Sequence, residues 1–229
     1  VENYLRRAKD SATFRLSRRV RRAAVARAHD ALYESDAWTH TYWLGAQALK
    51  NPLDLWIYQE IMAETRPELV IETGTYRGGS ALYLASICDL LDRGEVVSID
   101  IEPEREDYPR HPRITYLAGR PSTDEAVLDE VRARAAGRPT LVILDSDHSQ
   151  AYVEAELEVY APLVHVGGYV IVEDSNIGRV RKDLMPGPLE AIHAFLARTD
   201  EFVIDREREK FLITFNPSGY LRRVASSRA

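Results

Sequence analysis

The chain has 229 residues, 45% hydrophobic and 29% charged, with a formal net charge of −6. That length suits one large domain with a full core, and the composition is that of a soluble globular protein. No apolar run approaches the roughly 20 residues of a membrane span, no apolar signal core opens the chain, and the lone Cys88 cannot form an internal disulfide, so a cytoplasmic protein is expected.

The charge is uneven. Residues 1–30 hold nine Arg or Lys against three acids, residues 217–229 are also basic, and the middle is strongly acidic. Residues 3–34 read as a basic helix. Its arm "RLSRRVRRAAVARAHD" (15–30) lacks interleaved aromatics and precedes an acidic body that would repel a phosphate backbone, so packing on that body or on a second subunit is expected ahead of nucleic acid. An aromatic, irregular stretch, "SDAWTHTYWLGAQALKN", fills 35–51. Residues 52–66 form a helix with Pro52 at its start, where the missing N–H costs nothing.

From there strands and helices alternate. The strands are "ELVIETG" (68–74), "EVVSID" (95–100), "RITYLAG" (113–119), "TLVILDS" (140–146) and "GYVIVED" (168–174). Helices cover 79–92, a stretch to about 136 opened by the capping-box pair Ser122 and Glu125, then 149–163 and 188–198. "EFVIDRE" (201–207) and "KFLITFN" (210–216) are too close for a crossover and are expected to pair as an antiparallel hairpin. Near-continuous Val/Ile/Leu runs mark the five earlier strands as parallel and covered on both faces. The fold class is therefore α/β: a doubly wound, Rossmann-like, seven-stranded sheet with a reversed C-terminal hairpin and an N-terminal helical extension. Residues 1–51 form the extension and 52–229 the main domain.

The first parallel strand ends in "ETGTYRGGS" (72–80). Gly74 permits a sharp turn, while Gly78 and Gly79 keep the next helix entry thin. The spacing is not G-x-G-x-x-G, and Tyr76 would crowd a pyrophosphate, which disfavours a nicotinamide oxidoreductase. A ligand with an adenosine and an amino acid but no pyrophosphate, S-adenosylmethionine, suits the pattern. Glu72 would face its ammonium, and Asp100 at the next strand end would accept from the ribose hydroxyls. The expected cofactor set is Glu72, Gly74, Thr75, Tyr76, Gly78, Ser80, Asp100 and Asp145.

"LVILDSDHSQ" and "YVIVEDSN" deliver Asp145, Asp147, His148, Glu173 and Asp174 to the ends of two strands expected to be neighbours. Like charges so close require a proton or a cation, and oxygen ligation points to Mg²⁺, Ca²⁺ or Mn²⁺ rather than zinc. Asp147, Glu173 and Asp174 are the expected metal ligands, and Asp147 and His148 the expected proton-transfer groups. A non-catalytic binding protein on the same fold is disfavoured by this acid cluster.

"NPLDLWIYQEIMAETRPELVIETGTYRGGSALYLA", "VVSIDIE", "LDSDHS" and "GGYVIVEDSNI" together resemble the cephalosporin hydroxylase family. That Mg²⁺- and S-adenosylmethionine-dependent group also contains rhamnosyl O-methyltransferases of antibiotic and glycolipid pathways. The resemblance spans about residues 38–216. It implies O-methylation of a small-molecule hydroxyl, on a deoxysugar or natural product ahead of a catechol. It puts Glu72, Gly74 and Asp100 on cofactor positions and Asp147, Glu173 and Asp174 on metal positions. A homo-oligomer is expected.

Overall fold

The computed structural model describes residues 18–225. The expected basic helix is present as α1 (Arg18–Glu34), and its earlier part lies outside the described residues. After it come a 3₁₀ turn and a small hairpin, β1 (Tyr42–Trp43) with β2 (Ala46–Gln47). Asn51 then caps α2 (Pro52–Thr65) by accepting from the Leu53 amide at 3.2 Å.

The main sheet has seven strands: β3 (Leu69–Thr73), β4 (Glu95–Asp100), β5 (Ile114–Ala118), β6 (Thr140–Leu144), β7 (Tyr169–Val172), β8 (Phe202–Ile204) and β9 (Tyr220–Arg223). Their spatial order is β5-β4-β3-β6-β7-β9-β8, with the first five parallel and the last pairings antiparallel. The crossover helices are α3 (Gly79–Leu90), α4 (Glu125–Ala135) and α5 (Gln150–Tyr160). A short α6 (Ile177–Val180) and α7 (Pro188–Leu196) follow β7. Among the described residues, no helix is long and apolar enough to cross a membrane.

Strand alternation splits the core in two. Leu69, Ile71, Val142 and Leu144 meet α4, α5 and α7 on one face. Val70, Val96, Leu141 and Ile143 meet α2 and α3 on the other. The strand order reverses between β3 and β6, the place where such sheets open a crevice. The register pairs Thr73 with both Ile99 and Leu144, and Leu144 with Val172. Gly74, Asp145 and Glu173 are thus the first residues beyond three adjacent strands.

The hairpin exists, but its second strand is Tyr220–Arg223 and not 210–216. The physical reason is Asp54 on α2, only 3% exposed. Its carboxylate accepts from Thr214 Oγ1 at 2.5 Å, the Phe215 amide at 2.9 Å, Tyr220 Oη at 2.8 Å and Asn51 Nδ2 at 3.0 Å. Asn216 is drawn in as well, donating to Tyr58 Oη and accepting from the Asp174 amide. The Phe215 amide and carbonyl, which a strand would spend on a ladder, are instead taken by Asp54 of α2 and by the Asn176 amide after β7. A second expectation also fails. Asp124, not Ser122, caps α4, because Ser122 Oγ donates to the buried Glu156 at 2.6 Å.

The described part of α1 packs on the body. Arg179 makes a two-armed ion pair with Asp30 at 2.6 and 2.8 Å, and His29, Tyr33 and Trp38 pack around Phe215.

Asp54→Ala would strip four buried donors of their acceptor. The expected loss is about 3 kcal/mol, a fall in Tm of about 6–12 °C in a thermal melt. An unchanged melt would contradict the role given to Asp54.

Candidate functional site

A cavity of about 940 Å³ opens over the ends of β3, β4 and β6. Its walls include Gly74, Thr75, Tyr76, Ser80, Asp100, Asp145, Asp147, His148 and Asp174. The turn after β3 is shaped by close packing. At Gly74, whose φ is +86°, a Cβ would lie 1.9 Å from the Asp145 carbonyl oxygen. At Gly79 it would lie 2.1 Å from the carbonyl oxygen of Gln47. Gly78 has no room either, because Pro109 and the Tyr116 hydroxyl stand within 3 Å of a Cβ there. These glycines bring β6, the β2 hairpin and the Pro109 loop against the turn.

Asp100 holds that turn in place. Its Oδ2 accepts from the amides of Thr75 at 2.8 Å and Tyr76 at 2.9 Å, and its Oδ1 accepts from Glu102 at 2.9 Å. Two successive amides are thereby aimed at one carboxylate on the cavity wall. Glu72 stands behind that wall, fully buried. One of its oxygens accepts from Ser98 Oγ at 2.7 Å and the other has no partner. Burial pushes its carboxyl above the ordinary range, with Lys50 and two serines opposing.

The acids at the ends of β6 and β7 divide into three positions. Asp145 and Asp174 face each other across His148, whose Nε2 lies 3.2 Å from Asp174 Oδ2 and 3.5 Å from Asp145 Oδ1. The donor atoms of these three lie within 4.8 Å of one another. Burial opposes the imidazolium, but the two carboxylates outweigh it and push His148 up to about 10. Glu173, 5% exposed, sits deeper. Asp147 is exposed at the rim, where the Ser149 hydroxyl and then its amide, the latter 2.7 Å from Oδ1, hold its carboxyl below the usual range. The structure thus brings Asp174 together with Asp145 and His148, and leaves Glu173 and Asp147 on either side of that group.

Lys50, in the segment before α2, gave no signal in the sequence: one cation in "ALKNPLD" has no periodicity and no motif. It is 3% exposed. Its ammonium donates to Asp145 Oδ2 and to Glu173 Oε1, the latter at 2.7 Å. Burial disfavours the charge, yet Asp145, Glu173 and Glu72 overcome it and raise its pKa. Asp145 stays ionised beside Lys50 and His148 despite its burial, whereas burial and the Asp145 charge drive Glu173 well upward.

Glu156 on α5, beneath the same floor, was also not legible. It accepts from Ser122 Oγ and Ser146 Oγ, and its other oxygen has no partner. Burial pushes it up to about 7, against those hydrogen bonds.

So many carboxylates at one point demand positive charge. Lys50 and the imidazolium supply part of it, and the hard oxygens of the cluster fit a divalent cation such as Mg²⁺.

The chain is similar to known proteins along most of its length. The profile of the family described as "Rhamnosyl O-methyltransferase/CmcI" matches residues 35–224. The rhamnosyl O-methyltransferase of Mycobacterium bovis (strain BCG / Pasteur 1173P2) is 38% identical over 204 residues, 85% of this chain and 83% of that one. The protein of the same name from Mycobacterium leprae (strain TN) is 38% identical over 206 residues, 85% of this chain and 88% of that one. A solved structure of CmcI, described as its Mg–SAM form, superposes with a TM-score of 0.62 at 23% identity, over 82% of this chain and 78% of that one. At that identity the likeness is one of fold.

Lys50→Met would leave the buried acids without their fixed cation. A loss of about 3–5 kcal/mol in denaturant unfolding is expected, and no loss would contradict the assignment. Glu156 carries a pH signature. Its folded pKa lies above its ordinary 4.5, so its stabilisation is complete below that value and fades as pH rises through about 7. Glu156→Gln should therefore gain up to about 3 kcal/mol at pH 8 and almost nothing at pH 4. Equal effects at both pH values would contradict the buried-carboxyl reading.

Proposed function

The chain belongs to the rhamnosyl O-methyltransferase/CmcI family, and on that premise we propose that it methylates a hydroxyl of a sugar, of the rhamnosyl type, using S-adenosylmethionine and Mg²⁺. One observation carries the reading. Asp145, Asp147 and Asp174, from the ends of β6 and β7, share a single cavity with the glycine turn and Asp100.

S-adenosylmethionine supplies a sulfonium methyl that is already activated, so positioning and electrostatics account for most of the rate. The turn 74–80, fixed by Asp100, forms the nucleoside side of the cavity, with Thr75, Tyr76, Gly78 and Ser80 along it. Glu72 and Asp145 shape its inner end. Asp147, Glu173 and Asp174 are the residues that would hold the divalent ion, beside Asp145. Bound there, the ion would make an acceptor hydroxyl more acidic and offset the charge of the acids.

The remaining work falls to the chain's own groups. Lys50 keeps Asp145 and Glu173 together at the strand ends. His148 stands between Asp145 and Asp174, with Nε2 against both carboxylates. Asp147, at the exposed rim and ionised, accepts the proton of the sugar hydroxyl. Of the expected extension 1–51 on the catalytic domain 52–229, the described part, 18–51, is the acceptor side, a reading supported by Trp38 and Lys50, which both line the cavity.

The test is methyl transfer from labelled S-adenosylmethionine to methyl α-L-rhamnoside, followed by mass spectrometry. A chelator should abolish transfer and Mg²⁺ restore it. Asp147→Ala and Asp174→Ala should each lower turnover by at least about 100-fold while S-adenosylhomocysteine affinity stays within a few-fold. Asp100→Ala should weaken that affinity at least about tenfold. Transfer that survives the chelator, or an interchange of the two mutant classes, would contradict the reading.

A further inference from the structure

Glu156 of α5 takes no part in the reaction outlined above, yet its side-chain hydrogen bonds lead to the wall of the cofactor cavity. It is fully buried. Its Oε1 accepts from Ser122 Oγ at 2.6 Å and from Ser146 Oγ at 2.8 Å. Ser122 follows β5 and Ser146 follows β6, so one carboxyl oxygen ties together two loops of the cavity. Ser122 Oγ also lies 3.1 Å from the hydroxyl of Tyr152, one turn before Glu156 on α5. Ser122, Ser146 and Tyr152 all line the cavity.

A hydroxyl has one proton to give and two lone pairs with which to accept. Ser122 and Ser146 give their protons to Glu156. In its contact with Tyr152, Ser122 is therefore the acceptor and Tyr152 the donor. All three protons run inward along a chain that ends on one buried oxygen. The three hydroxyls keep only lone pairs for the cavity. The terminal acceptor sets that polarity, and without it each hydroxyl is free to turn.

The place of this accepting edge fits a nucleobase. Asp100 ends β4, and the Gly119 amide, in the loop after β5, donates to the Asp100 carbonyl oxygen at 3.0 Å. Ser122 thus lies on the β5 side of Asp100, whereas His148 and Asp174 follow β6 and β7 on the other side of the sheet order. A ribose carries its base on C1′ and its sulfonium chain on C4′. With the ribose at Asp100 and the sulfonium directed to the acids, the base points to Ser122 and Tyr152.

Resting on the S-adenosylmethionine reading of this cavity, we infer that Glu156 is a positioning residue for base recognition. Acting through Ser122, it turns the Tyr152 oxygen into a fixed acceptor that selects the 6-amino group of adenine and rejects a 6-oxo group.

The experiment is calorimetry at pH 8 with S-adenosylhomocysteine and with S-inosylhomocysteine, its 6-oxo analogue. Above the value of about 7 to which burial pushes it, the Glu156 carboxyl has no proton to return to a serine. The wild type should bind the adenosyl compound at least about 30-fold tighter than the inosyl compound. Glu156→Gln, whose amide oxygen still accepts from both serines, should keep that preference. Glu156→Leu, which releases the hydroxyls, should reduce it below about threefold. Equal affinities in the wild type, or a preference that survives Glu156→Leu, would overturn the inference while the cofactor reading stands. A wild type that binds neither compound would overturn both. If Glu156→Leu does not fold, Tyr152→Phe decides. Loss of its oxygen should weaken the adenosyl compound at least about tenfold and leave the inosyl compound within about threefold, and equal losses would overturn the inference.

Discussion

One buried ammonium holds the functional end of this sheet together. Parallel strands β6 and β7 emit Asp145 and Glu173 side by side, and β3 adds Glu72 behind them. In a low-dielectric interior such a group of acids would drive the strand ends apart or force protons onto all of them. Lys50 prevents this by donating to Asp145 and Glu173 at once. The distribution of charge follows: Asp145 is held in its ionised form, Glu173 and Glu72 shift upward, and the His148 ring stands between Asp145 and Asp174 at the cavity surface. Of the acids in this group, Asp145, Asp147 and Asp174 line the cavity, with Glu173 and Glu72 buried below them.

The same constraint links the extension to the catalytic domain. Lys50 precedes Asn51 and Pro52, so the residue that caps α2 follows directly on the residue that ties the strand ends. Two residues into α2, Asp54 collects donors from the segment between β8 and β9 and fixes the path by which the chain returns to the sheet. Asn216 on that path accepts from the Asp174 amide, where the backbone turns through a φ of +51°. Thus Lys50, Asp54 and Asn216 form a continuous polar frame under the acid cluster, and displacement of one member is felt by the others.

The architecture was legible in the sequence because hydrophobic pattern and turn chemistry are local signals. Val/Ile/Leu runs located all five parallel strands, and Pro52, Gly78 and Gly187 stand at helix starts. The last strand was misplaced because its competitor was distant: Asp54 lies 160 residues from Thr214, and no window of sequence contains both. Ser122 misled for the same reason, since its hydroxyl is drawn to Glu156 on another helix. In the site, the acids and the glycine turn were visible as strand-end residues. Their division of labour was not. Asp145 and Asp147 are two positions apart in one motif, yet one joins the buried cluster and the other accepts from the Ser149 amide just before α5, at the rim. Lys50 was invisible because its meaning lies only in what it meets after folding.

The central claim is that strand-end carboxylates, organised by Lys50, define one cation position beside the glycine turn. The direct measurement is anomalous diffraction from crystals soaked with Mn²⁺ and S-adenosylhomocysteine. The account predicts a single strong anomalous peak in contact with the Asp174 carboxylate, with the nucleoside in the same cavity against the 74–80 turn. Nucleoside density in that cavity with no peak at Asp174, or a peak on acids elsewhere on the surface, would contradict it.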